Sequence, residues 1–188
     1  MYRAVAVMRF IELVEVVGAA PPPRRFYINK NTGKEASMKQ KAHSRDLRRG
    51  RFSQPGQIYH ITSSTINREP FFSDLTLGRY FVKALMKEND SAETLAYVLM
   101  PDHFHWLLRC REEGDICKSI ANVKSVSAHH INKHLNRNDK LWQSSFYDHA
   151  IRSEENIVRV ARYIVANPLR AGLVKSLADY PLWDAVWI

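Results

Sequence analysis

From Ile58 onward, short β-branched and aromatic runs alternate with longer stretches whose apolar residues recur at helical spacing. Ile58-Tyr59-His60-Ile61-Thr62 follows a Pro55-Gly56 turn and predicts a strand. Leu75, Leu77, Tyr80, Phe81, Ala84, Leu85 and Met86 predict a helix over 74–89, with Asp74 as its N-cap. Thr94 to Met100 is a nearly unbroken apolar run, which suits a strand buried on both faces. Pro101-Asp102 makes a turn, and His103 to Arg109 reads as the next strand. Gly114-Asp115 opens a long helix over 116–135, with Ile120, Val123, Val126 and Ile131 on one side. Phe146 to Arg152 predicts a short strand. Ser153 reads as the cap of a last helix over 154–167, stopped by Pro168. The order β-α-β-β-α-β-α predicts an α+β, ferredoxin-like split βαβ domain. Its sheet is antiparallel, and the added C-terminal helix carries Tyr163.

Residues before this pattern differ in kind. The chain has 188 residues and a net charge of +9, from 28 Lys and Arg against 19 Asp and Glu. Residues 1–57 hold 12 basic and 4 acidic side chains (+8), and residues 58–188 hold 16 and 15 (+1). The basic excess therefore sits in an N-terminal arm and points to a polyanionic partner, nucleic acid first. The expected division is a poorly ordered extension over 1–44 and a domain over 45–188 whose basic arm spans 45–57. The contrast between the halves raises Met38 as an alternative translation start, which intact-mass analysis would settle.

Several classes lose support. The apolar stretch from Ala4 to Ala20 is interrupted by Arg9, Glu12 and Glu15, so no membrane span is expected. Two cysteines, Cys110 and Cys117, neither in a CxxC pair, support neither a disulfide framework nor a structural zinc site. Gly33-Lys34 lacks the glycine a phosphate loop needs five positions earlier, where Ile28 stands. Nothing in the sequence marks the chain as secreted.

The residues with most chemical content are Met100-Pro101-Asp102-His103-Phe104-His105-Trp106. Strand alternation sends His103 and His105 to one face and Phe104 and Trp106 to the other. Two imidazoles at i and i+2 are able to share one divalent cation, although strand histidines are also ordinary surface or core residues. Tyr163 and Asn167 are four apart and so lie one helical turn from each other. An amide oxygen of Asn167 suits a third ligand position, with the Tyr163 hydroxyl beside the metal. The bland alternatives are a core aromatic and a helix terminator. Tyr147 is a rival nucleophile or a DNA contact, and His149 a supporting group or phosphate contact. His129, His130 and His134 fall on the long helix, where a solvated face is the simpler reading. Trp142, Trp183 and Trp187 are candidates for base stacking or for packing.

Taken together, these segments resemble a known family. The Met100 to Leu108 segment resembles the HUH motif (His, hydrophobic residue, His) of single-tyrosine transposases. Trp142 to Arg152, Tyr163-Ile164-Val165-Ala166-Asn167-Pro168, Leu47-Arg48-Arg49-Gly50-Arg51 and Gly56 to His60 resemble the REP-associated tyrosine transposases. The similarity spans roughly residues 45–183. It implies that His103 and His105 are metal ligands, that Tyr163 is the nucleophile and that Asn167 is a third ligand. That last position is often Gln in relatives mobile in their own right. It also implies a Mg²⁺ or Mn²⁺ ion and a single-stranded or hairpin DNA substrate at repetitive extragenic palindromes. The protein would be a monomer or homodimer. The product would be a 5′-phosphotyrosine and a free 3′-hydroxyl, formed without nucleotide hydrolysis. Arg45, Arg48, Arg49 and Arg51 would then grip phosphates next to the domain. Two rivals remain: a non-catalytic DNA- or RNA-binding module of the same fold, and a metal-dependent phosphoesterase that hydrolyses without an adduct.

Overall fold

Each helix of the domain starts where a short polar side chain can satisfy free backbone N–H groups. In the computed structural model, which describes residues 53–152 and 155–187, Asp74 caps α1 (Leu75–Met86) by accepting from the Thr76 and Leu77 amides. Asp115 does the same for α2 (Ile116–His134) through Cys117 and Lys118, and Asn156 for α3 (Ile157–Val165) through Arg159. The last of these corrects the sequence-based expectation of a helix capped at Ser153 and spanning 154–167. The cap is Asn156, because its side chain is the one that reaches the first-turn amide. The chain also does not stop at Pro168. α3 ends at Val165, and a separate turn of helix, α4 (Asn167–Arg170), restarts with the proline in its first turn, where a missing N–H costs nothing.

Strands β1 (Ile58–Ser64), β2 (Ala92–Met100), β3 (His103–Cys110), β4 (Tyr147–Ala150) and β5 (Trp183–Ala185) form one sheet in the order β4-β1-β3-β2-β5. Every neighbouring pair is antiparallel. The first four strands have the split βαβ arrangement expected from the element order. β5 is an addition that the apolar pattern did not reveal, being three residues long and paired with β2 at its outer edge.

Alternation along the strands decides the layers. Tyr59 and Ile61, Tyr97 and Leu99, and Phe104, Trp106 and Leu108 point to one face, where they join Phe81 and Leu85 of α1 and Ile120, Val123 and Ile131 of α2. Phe104, Trp106 and Phe81 are fully buried there, and Trp142 stacks into the same cluster against Phe72. Trp142 is thus a core residue. The opposite face of β2 and β3 carries Val98 and Leu107, also buried, and α3 packs over β2 and β3 through Ala161, Ile164 and Val165. β2 is therefore covered on both sides, as its apolar run predicts. The expectations for residues 1–44, for Met38 and for the arm as far as Arg51 lie outside the described residues. Among the described residues, no helix is long and apolar enough to cross a membrane.

The junction between β3 and α2 is tight. A Cβ placed on Gly114 would lie 2.2 Å from the Ser91 carbonyl oxygen, a backbone atom with little room to move. Gly114→Ala is expected to destabilise the domain by about 1–3 kcal/mol, the ordinary cost of overpacking. The check is the urea midpoint at unchanged m-value.

Candidate active site

The turn Pro101-Asp102 delivers β3 so that His103 and His105 face away from the aromatic core, onto the side that α3 covers. Register adds further imidazoles to that face. Thr62 of β1 lies opposite His105, and His60 lies opposite His149 of β4. Paired residues share a face, so four of the chain's eight histidines (His60, His103, His105 and His149) line one side of the sheet across three strands. The sequence alone singled out three of these. His60 was invisible as a site residue because its role depends on cross-strand pairing.

Each imidazole of the pair is tied back through the same ring atom. His103 Nδ1 lies 2.5 Å from Asp102 Oδ1. His105 Nδ1 lies 3.0 Å from Thr62 Oγ1 and 3.1 Å from His60 Nε2. The Asp102 carboxylate only accepts, so His103 carries its proton on Nδ1 and its lone pair on Nε2; His105 has the same arrangement when its Nδ1–H donates to Thr62 or His60, as around metal-binding histidines. The two rings stand edge to face with centroids 5.0 Å apart.

Burial shapes the charge here. Desolvation, reinforced by the neighbouring His149, lowers the pKa of His60 to about 4. Desolvation also lowers that of His105 to about 3, assisted by His60, His103 and the cations Arg170 and Arg68. His105 is therefore a neutral donor at any physiological pH. Burial works to raise the Asp102 carboxyl, but its hydrogen bonds to His103 and Arg68 outweigh that effect and hold it below the usual carboxylate value. The Arg68 guanidinium reaches Asp102 Oδ2 at 3.1 Å from a loop in which Asn67 (φ 52°) and Arg68 (φ 59°) both adopt left-handed backbone. Two consecutive non-glycine residues in that region mark strain next to the histidines.

The third element comes from the other layer. Asn167 Nδ2 donates to the carbonyls of Ile164 (2.8 Å) and Tyr163 (3.3 Å), which closes the end of α3 and leaves Oδ1 as the uncommitted atom of the amide. Tyr163 lies one turn earlier, with the Arg170 guanidinium over its ring at 4.1 Å. The atoms on these elements with donor capacity are the Nε2 of His103 and His105 on β3 and Oδ1 of Asn167 at the α3–α4 junction. Neutral imidazole and amide oxygen are both able to ligate a divalent cation.

The remaining candidates are placed as follows. His149 Nε2 binds the Glu155 carboxylate at 3.0 Å, and Glu155 also accepts from the Arg152 amide. His149 thus pins β4 to the approach of α3 and has no bond to the pair on β3. Tyr147, opposite Thr62 on β4, is 64% exposed on the same sheet face. Arg45, Arg48, Arg49 and Arg51 lie outside the described residues. His130 stacks on Tyr80 of α1, with His129 and His134 beside it, away from the sheet's histidine face. Cys110 is buried in the helix-side core. Arg170, Arg68, Asp102 and Thr62 were missed by sequence reasoning. Only the Thr62-to-His60 spacing on one strand hinted at any of them.

Known proteins resemble this chain over most of the described domain. The family model "Transposase IS200 like" matches residues 53–167, which include His103, His105, Tyr163 and Asn167. A Haemophilus influenzae protein assigned to the REP-associated tyrosine transposases is 29% identical over 99 residues, covering 47% of this chain and 56% of its own length. The REP-associated tyrosine transposase of Escherichia coli K12 is 28% identical over 97 residues, covering 51% and 56%. The chain thus spans little more than half the length of the curated relatives it matches. A solved structure of a REP-associated tyrosine transposase bound to a REP hairpin superimposes with a TM-score of 0.59 at 25% identity, over 71% of this chain and 79% of that one. The chain belongs to the IS200-like transposase family, and its curated relatives are REP-associated tyrosine transposases.

Proposed function

We propose that this protein nicks and transfers single-stranded DNA at REP-type palindromic hairpins through a covalent 5′-phosphotyrosine at Tyr163. The observation that carries this reading is the matched anchoring of His103 and His105 through Nδ1, which leaves two Nε2 atoms on the sheet face that α3 covers. The hairpin substrate is carried over from the solved relative, whose hairpin-bound form shares this fold. The setting would be the DNA of a bacterial cytoplasm, since the curated relatives come from bacteria.

His103, His105 and Asn167 Oδ1 would hold the Mg²⁺ or Mn²⁺ ion, which when bound polarises the phosphate oxygens and offsets their charge. Asp102 and Thr62 fix the ring planes of the two histidines, so the donor atoms need no reordering when substrate arrives. The Tyr163 oxygen attacks the phosphorus, forming an O–P bond as the bond to the 3′-oxygen breaks. The phenol proton leaves to solvent, and the departing 3′-oxygen takes one up. The number of phosphodiester links is unchanged, so the adduct can be resealed onto another 3′-hydroxyl. Arg45, Arg48, Arg49 and Arg51 would add a grip on the flanking phosphates.

Three measurements test this reading. Incubation with a single-stranded hairpin oligonucleotide and Mn²⁺ should give a denaturant-resistant adduct that persists in Tyr147→Phe and vanishes in Tyr163→Phe, in His105→Ala and on chelation. Cleavage without an adduct would favour the phosphoesterase, and binding alone the non-catalytic module. The arm predicts that hairpin affinity falls steeply with added salt, and that deleting residues 1–51 weakens both affinity and that salt slope. The third concerns pH. The unfolded state binds protons at His60 and His105 near the ordinary value of 6.5, whereas the folded state resists them down to about 4 and about 3. Stability should therefore be full above about pH 7 and fall as pH drops through the window from 6.5 to 4. Urea midpoints across that range should show a shallower slope in His60→Asn.

A further inference from the structure

Arg170 is partnered by an aromatic ring. Arg68, Arg109 and Arg137 each hold a carboxylate, on Asp102, Glu93 and Glu69 respectively. Among the described residues Arg170 has no acidic partner, and no side-chain hydrogen bond fixes its guanidinium. Instead the group lies 4.1 Å above the Tyr163 ring. Its backbone is well anchored, because α4 begins at Asn167, whose side chain closes α3, and the Arg170 amide donates to the Ala166 carbonyl. The restart of helix after Pro168 thus folds a cation back over the residue one turn into the preceding helix. The same charge reaches His105 on the sheet. Arg170 thus contacts the Tyr163 ring, and its charge also acts on His105 of the candidate pair.

We propose that Arg170 positions Tyr163 for attack and presents its free N–H donors to the phosphate that Tyr163 receives. This rests on the reading of Tyr163 as the nucleophile and adds a second residue to it. The planar guanidinium is suited to both tasks at once. Its face stacks on the aromatic ring, and its edge carries five N–H groups in a fork that matches two phosphate oxygens. Lys at this position would keep the charge but lose the stacking plane and the fork. A ring clamp limits the rotations that carry the phenol oxygen away from the line of attack. A positive group at the junction also favours the anionic strand lying against α3 and α4, where it must pass for Tyr163 to reach it.

The test uses the full chain, a hairpin oligonucleotide with Mn²⁺, and single-turnover formation of the covalent adduct, with hairpin affinity measured separately. Arg170→Gln and Arg170→Ala should slow adduct formation on the order of tenfold to a hundredfold. Hairpin affinity should change by less than about threefold, since one phosphate contact among several is lost. Arg170→Lys should recover part of the rate, and added guanidinium should rescue Arg170→Ala but not Tyr163→Phe. Arg170 is exposed, so an unchanged thermal midpoint is expected and separates these effects from misfolding. Wild-type rates in Arg170→Gln would overturn the assignment while leaving Tyr163 as nucleophile. A rate loss matched by an equal loss of affinity, or absence of guanidinium rescue, would also overturn it. If the wild-type protein forms no adduct through Tyr163, both readings fall together.

Discussion

The pleat of β3 is the constraint on which the rest depends. In an extended strand, neighbouring side chains cannot share a face, so the run His103-Phe104-His105-Trp106 must split. Phe104 and Trp106 are fully buried against Phe81 and the two long helices. That burial is worth several kcal/mol by area alone, and it locks the register of β3 against β1 and β2. A slip of one residue would put two imidazoles into the aromatic core and two aromatics onto the working face. The apolar side of the strand thus specifies where the polar side points.

The same register builds the surroundings of the histidines. Because β1 and β3 are antiparallel neighbours, Thr62 falls opposite His105, and His60 lies close enough for its Nε2 to meet His105 Nδ1. Because the turn at 101–102 is tight, Asp102 falls beside His103 and also meets Arg68 from the strained loop after β1. Both rings are therefore held by groups that belong to the fold. The cost is two half-buried imidazoles, His60 and His105, whose desolvation resists protonation, which links the order of this face to pH.

The α3–α4 junction supplies what the sheet does not. A single continuous helix through Asn167 would keep Tyr163 and residue 170 on one rod, with their side chains about two turns apart. The break at Ala166 and the restart at Asn167-Pro168 instead let Arg170 lie over the Tyr163 ring. The proline, which reads in the sequence as a stop, is in structure the first turn of the next helix. The side-chain amide of Asn167 serves two roles there: its nitrogen caps α3, and its oxygen is left over.

Local pattern by itself determined β1 to β4 and the two long helices α1 and α2. Period-two and period-3.6 burial is written into each segment, and the order β-α-β-β-α-β then admits few sheet arrangements. His103, His105, Tyr163 and Asn167 stood out as candidates for a similar reason, since each pair sits at a spacing that one element makes meaningful. Tertiary structure decided what no single segment encodes. Cross-strand register brought His60 and Thr62 to His105, a loop contact brought Arg68 to Asp102, and the helix restart brought Arg170 to Tyr163. β5 is too short to announce itself by pattern, and it exists because the open edge of β2 needs hydrogen-bond partners. The N-cap shifted from Ser153 to Asn156 because capping depends on the path of the chain into the helix, and β4 sets that path through His149 and Glu155. Spacing along a chain reports which side chains share an element; which elements face each other is set only when the apolar faces are buried together.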